Sequence, residues 1–242
     1  MMYLNERIDD LQRGGLRVIQ RADAFRFGTD AVLLADFAAP RRHDRVCDLG
    51  TGTGIIPLLL YARENTISAD AVEIQPDMAD MAARSMAKNG LNEKIRVLPG
   101  DLRSIRTLLP HARYDLVTCN PPYGKAGGTL LNPDASKRLA RHEESCAIED
   151  VACAAAWLLQ NGGRLCCVFP AARMIELSDA MRKYRMAPKR IRMVHSRVEK
   201  AAHLCLMEGM LDARPGLIIE PPLVIYDENN AYTPELRRIY GL

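Results

Sequence analysis

The sequence predicts an α/β fold in which a mostly parallel sheet of about seven strands carries helices on both faces. Three observations support this fold class. Strand-like and helix-like segments alternate along the chain, which is typical of parallel sheets. The 242 residues, 48% of them hydrophobic, are enough to bury one sizeable core. Polar residues follow several of the predicted strands, at the edge where open α/β sheets bind ligands.

Short apolar runs predict the strands of this sheet. The first 44 residues are expected to form an extension that contains a hairpin and one helix. Buried strands are then indicated at residues 45–47, 69–72, 95–98, 114–119, 164–169, 190–195 and 202–207.

The helices are predicted from their start and stop signals. An apolar run at residues 55–61 follows a glycine-rich turn. Pro76-Asp77 favours a helix start and Asn89-Gly90 a helix end. A further helix is expected at residues 147–160, ended by Gly162-Gly163. The helix that begins at Pro76-Asp77 is expected to turn one side toward the core, formed by Met78, Met81, Ala82, Ser85 and Met86.

Composition indicates one cytoplasmic enzyme domain. No linker, repeat or low-complexity tract divides the chain, so residues 1–242 are expected to form a single domain with an extension (1–44), a core (45–225) and a tail (226–242). No apolar run approaches the ~20 residues of a membrane span, and no secretory signal opens the sequence. The seven cysteines lack C-x-x-C spacing, which favours neither disulfides nor a metal site.

The most informative motif is N-P-P-Y, formed by Asn120, Pro121, Pro122 and Tyr123 after a predicted buried strand. An amide oxygen, a carbonyl stiffened by proline and an aromatic face together suit a planar amino group. The Asn120 side chain and the Pro121 carbonyl could accept its two hydrogens, and Tyr123 could stack on its ring. An ordinary Asn-Pro turn at the end of a strand is the alternative.

A glycine loop, D-L-G-T-G-T-G at residues 48–54, follows the first core strand and precedes a helix. Such a loop lets the backbone approach a ligand, and the helix N-terminus behind it offers free N–H groups. Ile55 stands where the dinucleotide fingerprint has its last glycine, which disfavours a pyrophosphate. Asp48 instead suits a ligand with an amino group, such as the methionine part of S-adenosylmethionine. The alternative is a turn that packs a helix on a strand.

Two further carboxylates follow predicted strands. Glu73 lies at about the spacing at which a Rossmann-like fold places an acid on ribose hydroxyls. Asp101 follows the next strand and could accept from an adenine amino group. Each could instead be a helix cap or a solvated turn residue. Together with Asp48 and Asn120 they make four successive polar strand ends.

The chain resembles the class I S-adenosylmethionine-dependent methyltransferases, and within them the small methyltransferases with an N-P-P-Y motif. The resemblance covers about residues 11–224 and is closest to the bacterial tRNA adenine-N6 methyltransferases that modify tRNA-Val beside the anticodon. It rests on the glycine loop, on N-P-P-Y, on L-R-V-I-Q and F-R-F-G-T-D-A-V-L-L-A at residues 16–20 and 25–35, and on A-R-H-E at residues 140–143.

This resemblance implies a Rossmann-like methyltransferase fold and methyl transfer to the exocyclic N6 of an adenine in RNA, most specifically tRNA. Asn120 to Tyr123 would then bind the target base. S-adenosylmethionine, with S-adenosylhomocysteine as product, would contact Phe27, Thr29, Asp48, Gly50, Thr51, Gly52, Thr53, Gly54, Glu73, Ile74, Asp101, Leu102 and Asn120.

Charge distribution indicates where RNA would bind. Residues 182–200 hold eight Lys or Arg against one acid, Glu199, although the net charge of the chain is only +3. A second basic group lies in the long irregular stretch at residues 124–145. The alternative is that residues 182–200, which we call the basic stripe, form an ordinary solvated face. The predicted RNA contacts are Arg138, Arg141, Arg182, Lys183, Lys189, Arg190, Arg192 and Arg197.

Two other functions remain open at the level of sequence. N-P-P-Y would also suit a protein glutamine amide, but only 47 residues precede Asp48, which leaves little room for the helical substrate domain of such enzymes. A non-catalytic binding module should show a damaged glycine loop or N-P-P-Y, and both are intact. No metal and no membrane partner are expected, and the oligomeric state is left open.

Overall fold

The structure is a computed structural model and describes residues 5–21, 28–122 and 147–242. The first element in these ranges is an antiparallel hairpin. Its strands are β1 (Glu6–Asp10) and β2 (Arg17–Arg21), with Ile8 opposite Ile19. The Ser85 hydroxyl accepts a hydrogen bond from the Ile19 N–H at 2.9 Å. The hairpin expected in the N-terminal extension is therefore present and is attached to the helix that contains Ser85.

A second, mixed sheet contains nine strands within the described residues. Its order is β10-β8-β9-β7-β6-β3-β4-β5, and β11 also pairs with β8. Only the pairs made by β9, with β7 and with β8, are antiparallel. The predicted fold class is thus confirmed. In chain order the strands are β3 (Arg45–Leu49), β4 (Ser68–Glu73), β5 (Ile95–Pro99), β6 (Tyr114–Cys119), β7 (Leu159–Pro170), β8 (Met186–His195), β9 (Ala202–Leu211), β10 (Ile218–Ile219) and β11 (Leu223–Val224).

Helices cover both faces of this sheet. One buried cluster includes Leu34 and Leu58, and the cluster on the other face includes Leu158 and Met181. Two short 3₁₀ turns, Leu102–Ser104 and Ala171–Arg173, follow β5 and β7. The helices are α1 (Thr29–Ala38), α2 (Ile55–Arg63), α3 (Pro76–Lys88), α4 (Ile105–Leu108), α5 (Ile148–Leu158), α6 (Met174–Lys183) and α7 (Pro234–Tyr240).

The local signals explain where α3 begins and ends. Pro76 stands in the first turn, where its missing N–H costs nothing, and Asn89 follows the last turn as predicted. Four residues of the side expected to face the core are buried, Met81, Ala82, Ser85 and Met86, whereas Met78 in the first turn is only partly buried.

Helix α5 is shorter than predicted, because strand β7 already begins at Leu159. Gly162-Gly163 therefore lies inside a strand and does not end a helix. A Cβ on Gly163 would lie 2.9 Å from the Gln160 carbonyl oxygen and 3.0 Å from that of Tyr114. Glycine thus permits the close approach of β7 to β6, at the point where their register is irregular.

Parallel strands bring their carboxyl ends to a common edge. β3 pairs with β4 and β6, and β4 pairs with β5, all in parallel. The residues that follow Leu49, Glu73, Pro99 and Cys119 therefore meet on one side of the sheet. This edge contains the candidate site.

Candidate active site

The glycine loop lies between β3 and α2 and is fixed by backbone hydrogen bonds. The N–H groups of Gly50 and Thr51 both donate to the Val72 carbonyl, at 2.9 and 3.0 Å. Gly54 has φ +81°, and a Cβ there would lie 2.5 Å from the Met86 side chain and 3.3 Å from that of Ala82. The last glycine of the loop therefore serves the packing of α2 against α3.

Glu73 ends β4 and holds the glycine loop from the neighbouring strand. One carboxylate oxygen accepts from the Gly52 N–H at 2.8 Å, and the other from the Gln75 N–H at 2.9 Å. The residue is 4% exposed and lines a pocket at the sheet edge. Because each carboxylate oxygen has two acceptor sites, Glu73 can also accept from a ligand hydroxyl.

Asp48 lies beneath the loop and is fully buried. Thr118 on β6 donates a hydrogen bond to one of its carboxylate oxygens at 2.6 Å. Its second oxygen and the Thr51 hydroxyl have no hydrogen-bond partner within the described residues. Burial raises the pKa of Asp48 to about 7, and the Thr118 hydrogen bond opposes this rise. Asp48 is absent from the pocket lining, so direct contact with a ligand amino group stays a prediction.

The pocket has a volume of about 230 Å³. It brings together residues from the ends of β3, β4, β5 and β6, and three of the four polar strand-end residues line it: Glu73, Asp101 and Asn120. The predicted residues among its lining are Gly50, Gly52, Glu73, Ile74, Asp101, Leu102, Asn120, Pro121 and Pro122. Thr51, Thr53 and Gly54 belong to the same loop but do not line the pocket among the described residues.

Asp101 both caps a 3₁₀ turn and lines the pocket, so the two readings of this residue coexist. It accepts from the Arg103 N–H at 2.9 Å and pairs with the Arg103 guanidinium at 2.5 Å. This hydrogen-bonded guanidinium lowers the pKa of Asp101. Its carboxylate is therefore a negatively charged acceptor at the pocket.

The turn formed by Asn120, Pro121 and Pro122 follows β6 and stands at the wall of the pocket. The two prolines also line a second cavity of about 590 Å³, together with Phe169 and Arg173. The Arg173 guanidinium lies 5.0 Å from the centroid of the Phe169 ring. No role for Phe169 was predicted from the sequence, although its place at the end of the next strand could have indicated one.

Thr29 begins α1, and the Tyr240 hydroxyl donates to its hydroxyl at 3.2 Å. Thr29 does not line the pocket among the described residues. Four predicted site residues lie outside the described part of the chain: Phe27, Tyr123, Arg138 and Arg141.

Intramolecular partners hold much of the predicted basic stripe. Arg190 pairs with Glu220 at 3.2 Å and with Glu208 at 3.4 Å, and its guanidinium lies 4.4 Å from the centroid of the Phe37 ring. Arg192 pairs with Glu235 at 2.8 Å. These two arginines therefore have their charge compensated within the fold.

The other members of the stripe differ in exposure and pairing. Lys183 pairs with Glu149 at 2.6 Å, and Lys189 donates to the Arg214 carbonyl at 3.3 Å. Arg197 donates to neutral acceptors, the Asp227 carbonyl and the Asn230 side chain. Arg182 is exposed at the end of α6. The stripe is thus not an open row of cations.

Two other features are absent from the ranges that the structure describes. No group of three or more His, Cys, Asp or Glu there could hold a metal ion. None of the helices in those ranges could span a bilayer.

Comparison with known proteins identifies the family. A model described as the methyltransferase small domain matches residues 22–190. A tRNA1(Val) (adenine(37)-N6)-methyltransferase of Porphyromonas gingivalis is 32% identical over 231 residues, covering 91% of this chain and 89% of that protein. The enzyme of the same name from Tolumonas auensis is 34% identical over 216 residues, covering 88% and 86%.

A solved structure supports the fold independently. A predicted O-methyltransferase from Agrobacterium tumefaciens has a TM-score of 0.73 at 24% identity, over 88% of this chain and 96% of that one. The local chemistry also fits S-adenosylmethionine, because a glycine loop held by Glu73 borders the pocket and the charged Asp101 carboxylate faces it. The chain therefore belongs to the methyltransferase small-domain family and uses S-adenosylmethionine as its methyl donor.

Proposed function

We propose that this enzyme methylates the exocyclic N6 of an adenine in RNA, specifically adenine 37 of tRNA1(Val). The observation that carries the proposal is the position of the Asn120-Pro121-Pro122 turn on the wall of the cofactor pocket. The names of the two relatives from P. gingivalis and T. auensis support the choice of RNA and of the position. A tRNA substrate also agrees with the expected cytoplasmic location.

The turn would act on the nucleophile. An exocyclic amine attacks poorly because its lone pair is delocalised into the ring. The Asn120 side-chain oxygen and the Pro121 carbonyl would accept its two hydrogens and favour the tetrahedral nitrogen of the transition state. Tyr123, outside the described residues, is expected to stack on the base. Bound S-adenosylmethionine supplies an electrophilic methyl group on a sulfonium.

The strand ends would bind and orient the donor. Glu73 would accept from the ribose hydroxyls while it holds the Gly52 amide, and Asp101 would accept from the adenine amino group. Asp48 would bind the methionine amino group of the donor from beneath the loop, through its unpartnered oxygen. An adenine in a stacked loop would have to be extruded to reach Asn120.

The experiment compares two RNA substrates. The purified chain is incubated with methyl-labelled S-adenosylmethionine and either a tRNA1(Val) transcript or the same transcript with guanine at position 37. We expect N6-methyladenosine on nucleoside analysis of the first and no label in the second. Equal labelling of both transcripts would refute adenine 37 as the methylated base. Label found only in protein glutamine, with whole-cell extract as substrate, would refute RNA methylation.

A further inference from the structure

Three tyrosines of the C-terminal segment form a continuous aromatic stack. The ring centroids of Tyr226 and Tyr232 are 5.5 Å apart with planes inclined by 27°. Those of Tyr232 and Tyr240 are 5.6 Å apart and inclined by 13°. Offset stacking at these distances is favourable for aromatic rings. The three rings therefore form one unit, which we name the tyrosine ladder.

The inner end of the ladder is anchored. Tyr232 and Tyr240 pack against the core cluster that contains α1 and α2. The Tyr240 hydroxyl donates to that of Thr29, the first residue of α1. The backbone bridge between Tyr226 and Tyr232 fixes the outer ring relative to the middle one. The position of the outer ring is thus set before any ligand binds.

The outer end of the ladder is open. Tyr226 is 37% exposed, and Tyr232 stacks on one side of its ring. No other aromatic ring stacks on Tyr226 within the ranges that the structure describes. A preorganised aromatic surface of this kind can take a planar ligand with little loss of conformational entropy.

The ladder lies at the same edge of the sheet as Asn120. β8 runs in the direction of β6, because both β7 and β8 are antiparallel to β9. Val224 of β11 lies opposite His195, the last residue of β8, and the Tyr226 N–H donates to the Ser196 carbonyl at 2.9 Å. Four strand spacings separate β6 from β11, a distance on the order of 19 Å.

The loops beside the outer ring carry charges of both signs, and two of their cations are available to the phosphates of a nucleic acid. Arg197 donates only to neutral acceptors in the described structure, so its charge is uncompensated by a paired carboxylate, and Lys200 is exposed in the same loop. The carboxylate of the half-buried Asp227 accepts from the N–H groups of Asn229 and Ala231 in its own turn. Exposed acids in these loops are Glu199 and Glu228.

We propose that the exposed ring of Tyr226 stacks on an unpaired base of the RNA substrate, a few nucleotides from the target adenine, with Arg197 and Lys200 beside the adjacent phosphates. This inference rests on the proposed RNA substrate. Aromatic stacking tolerates every base, because each base has a π face. The ladder would therefore hold the loop in place, and the N-P-P turn would select the atom to be methylated.

The test measures the affinity for a fluorescent anticodon stem-loop RNA at several salt concentrations. Tyr226→Phe keeps the ring and should bind like the wild type. Tyr226→Leu keeps apolar packing but lacks the ring, and should raise the dissociation constant on the order of 5- to 150-fold. The slope of log RNA affinity against log salt concentration should not change in this variant, because no phosphate contact is lost. Arg197→Ala should flatten that slope by roughly one unit.

Tyr61→Leu is the matched control. Tyr61 lies in the last turn of α2, at the end of that helix away from the carboxyl edge of the sheet, and its replacement should leave RNA affinity unchanged. Calorimetry with S-adenosylmethionine checks that each variant still binds the cofactor. Wild-type affinity of Tyr226→Leu for RNA would overturn the ladder inference while leaving RNA methylation intact. A wild-type enzyme that does not methylate RNA would instead refute the proposed function.

Discussion

The Thr118 hydroxyl donates a 2.6 Å hydrogen bond to the buried Asp48 carboxylate. The two residues lie opposite each other in the parallel pairing of β6 with β3. Gly50 follows Asp48 by two residues, and Asn120 follows Thr118 by two. This contact therefore links the strand before the cofactor loop to the strand before the N-P-P turn, and it fixes the spacing between them.

Asp48→Asn should make the stability of the protein less dependent on pH. Burial raises the pKa of Asp48 to about 7 from 3.8, so between about pH 4 and 7 the folded protein keeps a proton that the unfolded chain has lost. The folded state is thus destabilised as pH rises through this window, by at most about 4 kcal/mol. Asparagine does not ionise. The free energy of unfolding of the variant relative to wild type should rise from pH 4 to 7 and stay level above about pH 8.

Urea unfolding across this range measures the effect. Thr118→Val is the companion variant. It removes a hydrogen bond that lowers the pKa of Asp48. The decline in stability with rising pH that we expect for the wild type should therefore extend to higher pH in this variant. Parallel stability profiles for wild type and Asp48→Asn would show that Asp48 titrates normally in the folded protein.

Glu73→Ala should weaken S-adenosylmethionine binding by about 1–3 kcal/mol, because it leaves the Gly52 and Gln75 amides without an acceptor and removes the ribose partner. Glu73→Gln can keep only one of the two backbone contacts, since its amide nitrogen cannot accept. We expect an intermediate loss for it. Isothermal calorimetry distinguishes the three proteins, and equal affinities would remove Glu73 from the cofactor site.

Asn120→Ala should reduce kcat on the order of 10²–10³, as the loss of an acceptor that acts in the transition state does, while cofactor affinity stays close to wild type. The measurement pairs single-turnover methylation of the tRNA transcript with calorimetry. Asn120→Asp is a useful second variant, because it retains an acceptor oxygen. A fully active Asn120→Ala enzyme would contradict the proposed role of the turn.

Arg190 and Arg182 should respond differently to replacement by alanine. Arg190→Ala removes one of the two arginines that pair with Glu208, which is 5% exposed, and should destabilise the fold by about 1–3 kcal/mol. Arg182→Ala should leave stability unchanged and, if Arg182 contacts phosphate, reduce the salt slope of RNA binding by roughly one unit. Thermal unfolding and salt titrations separate the two effects. A stable Arg190→Ala variant with a flattened salt slope would return Arg190 to the RNA surface.

Local patterns predicted most of the elements of this fold. Strands such as β6 are short apolar runs, and Pro76 with Asn89 set the limits of α3. The start of β7 was missed because Gly163 is required by the approach of the Tyr114 backbone, a contact distant in sequence.

The same distinction holds at the site. Polar residues at strand ends predicted a shared edge, since parallel topology alone brings Glu73, Asp101 and Asn120 together. The partners of Arg190 and Arg192 could not be predicted, because Glu208 and Glu235 lie on separate elements with no local signal. Counting charge along the chain therefore overestimated the cationic surface.

The buried charged side chains of β7 and β9 also constrain the register in which these two strands pair. Arg164 of β7 reaches both Glu208 of β9, at 3.2 Å, and Asp44, at 3.3 Å. A slip of β9 by one residue would turn Glu208 toward the opposite face, among the apolar neighbours of Met207. Such a misaligned strand would bury one carboxylate without a cation and leave Arg164 short of a partner. The last long strand of the chain is thus held in the register that keeps Glu208 beside Arg164, and pairings slipped by one residue are penalised.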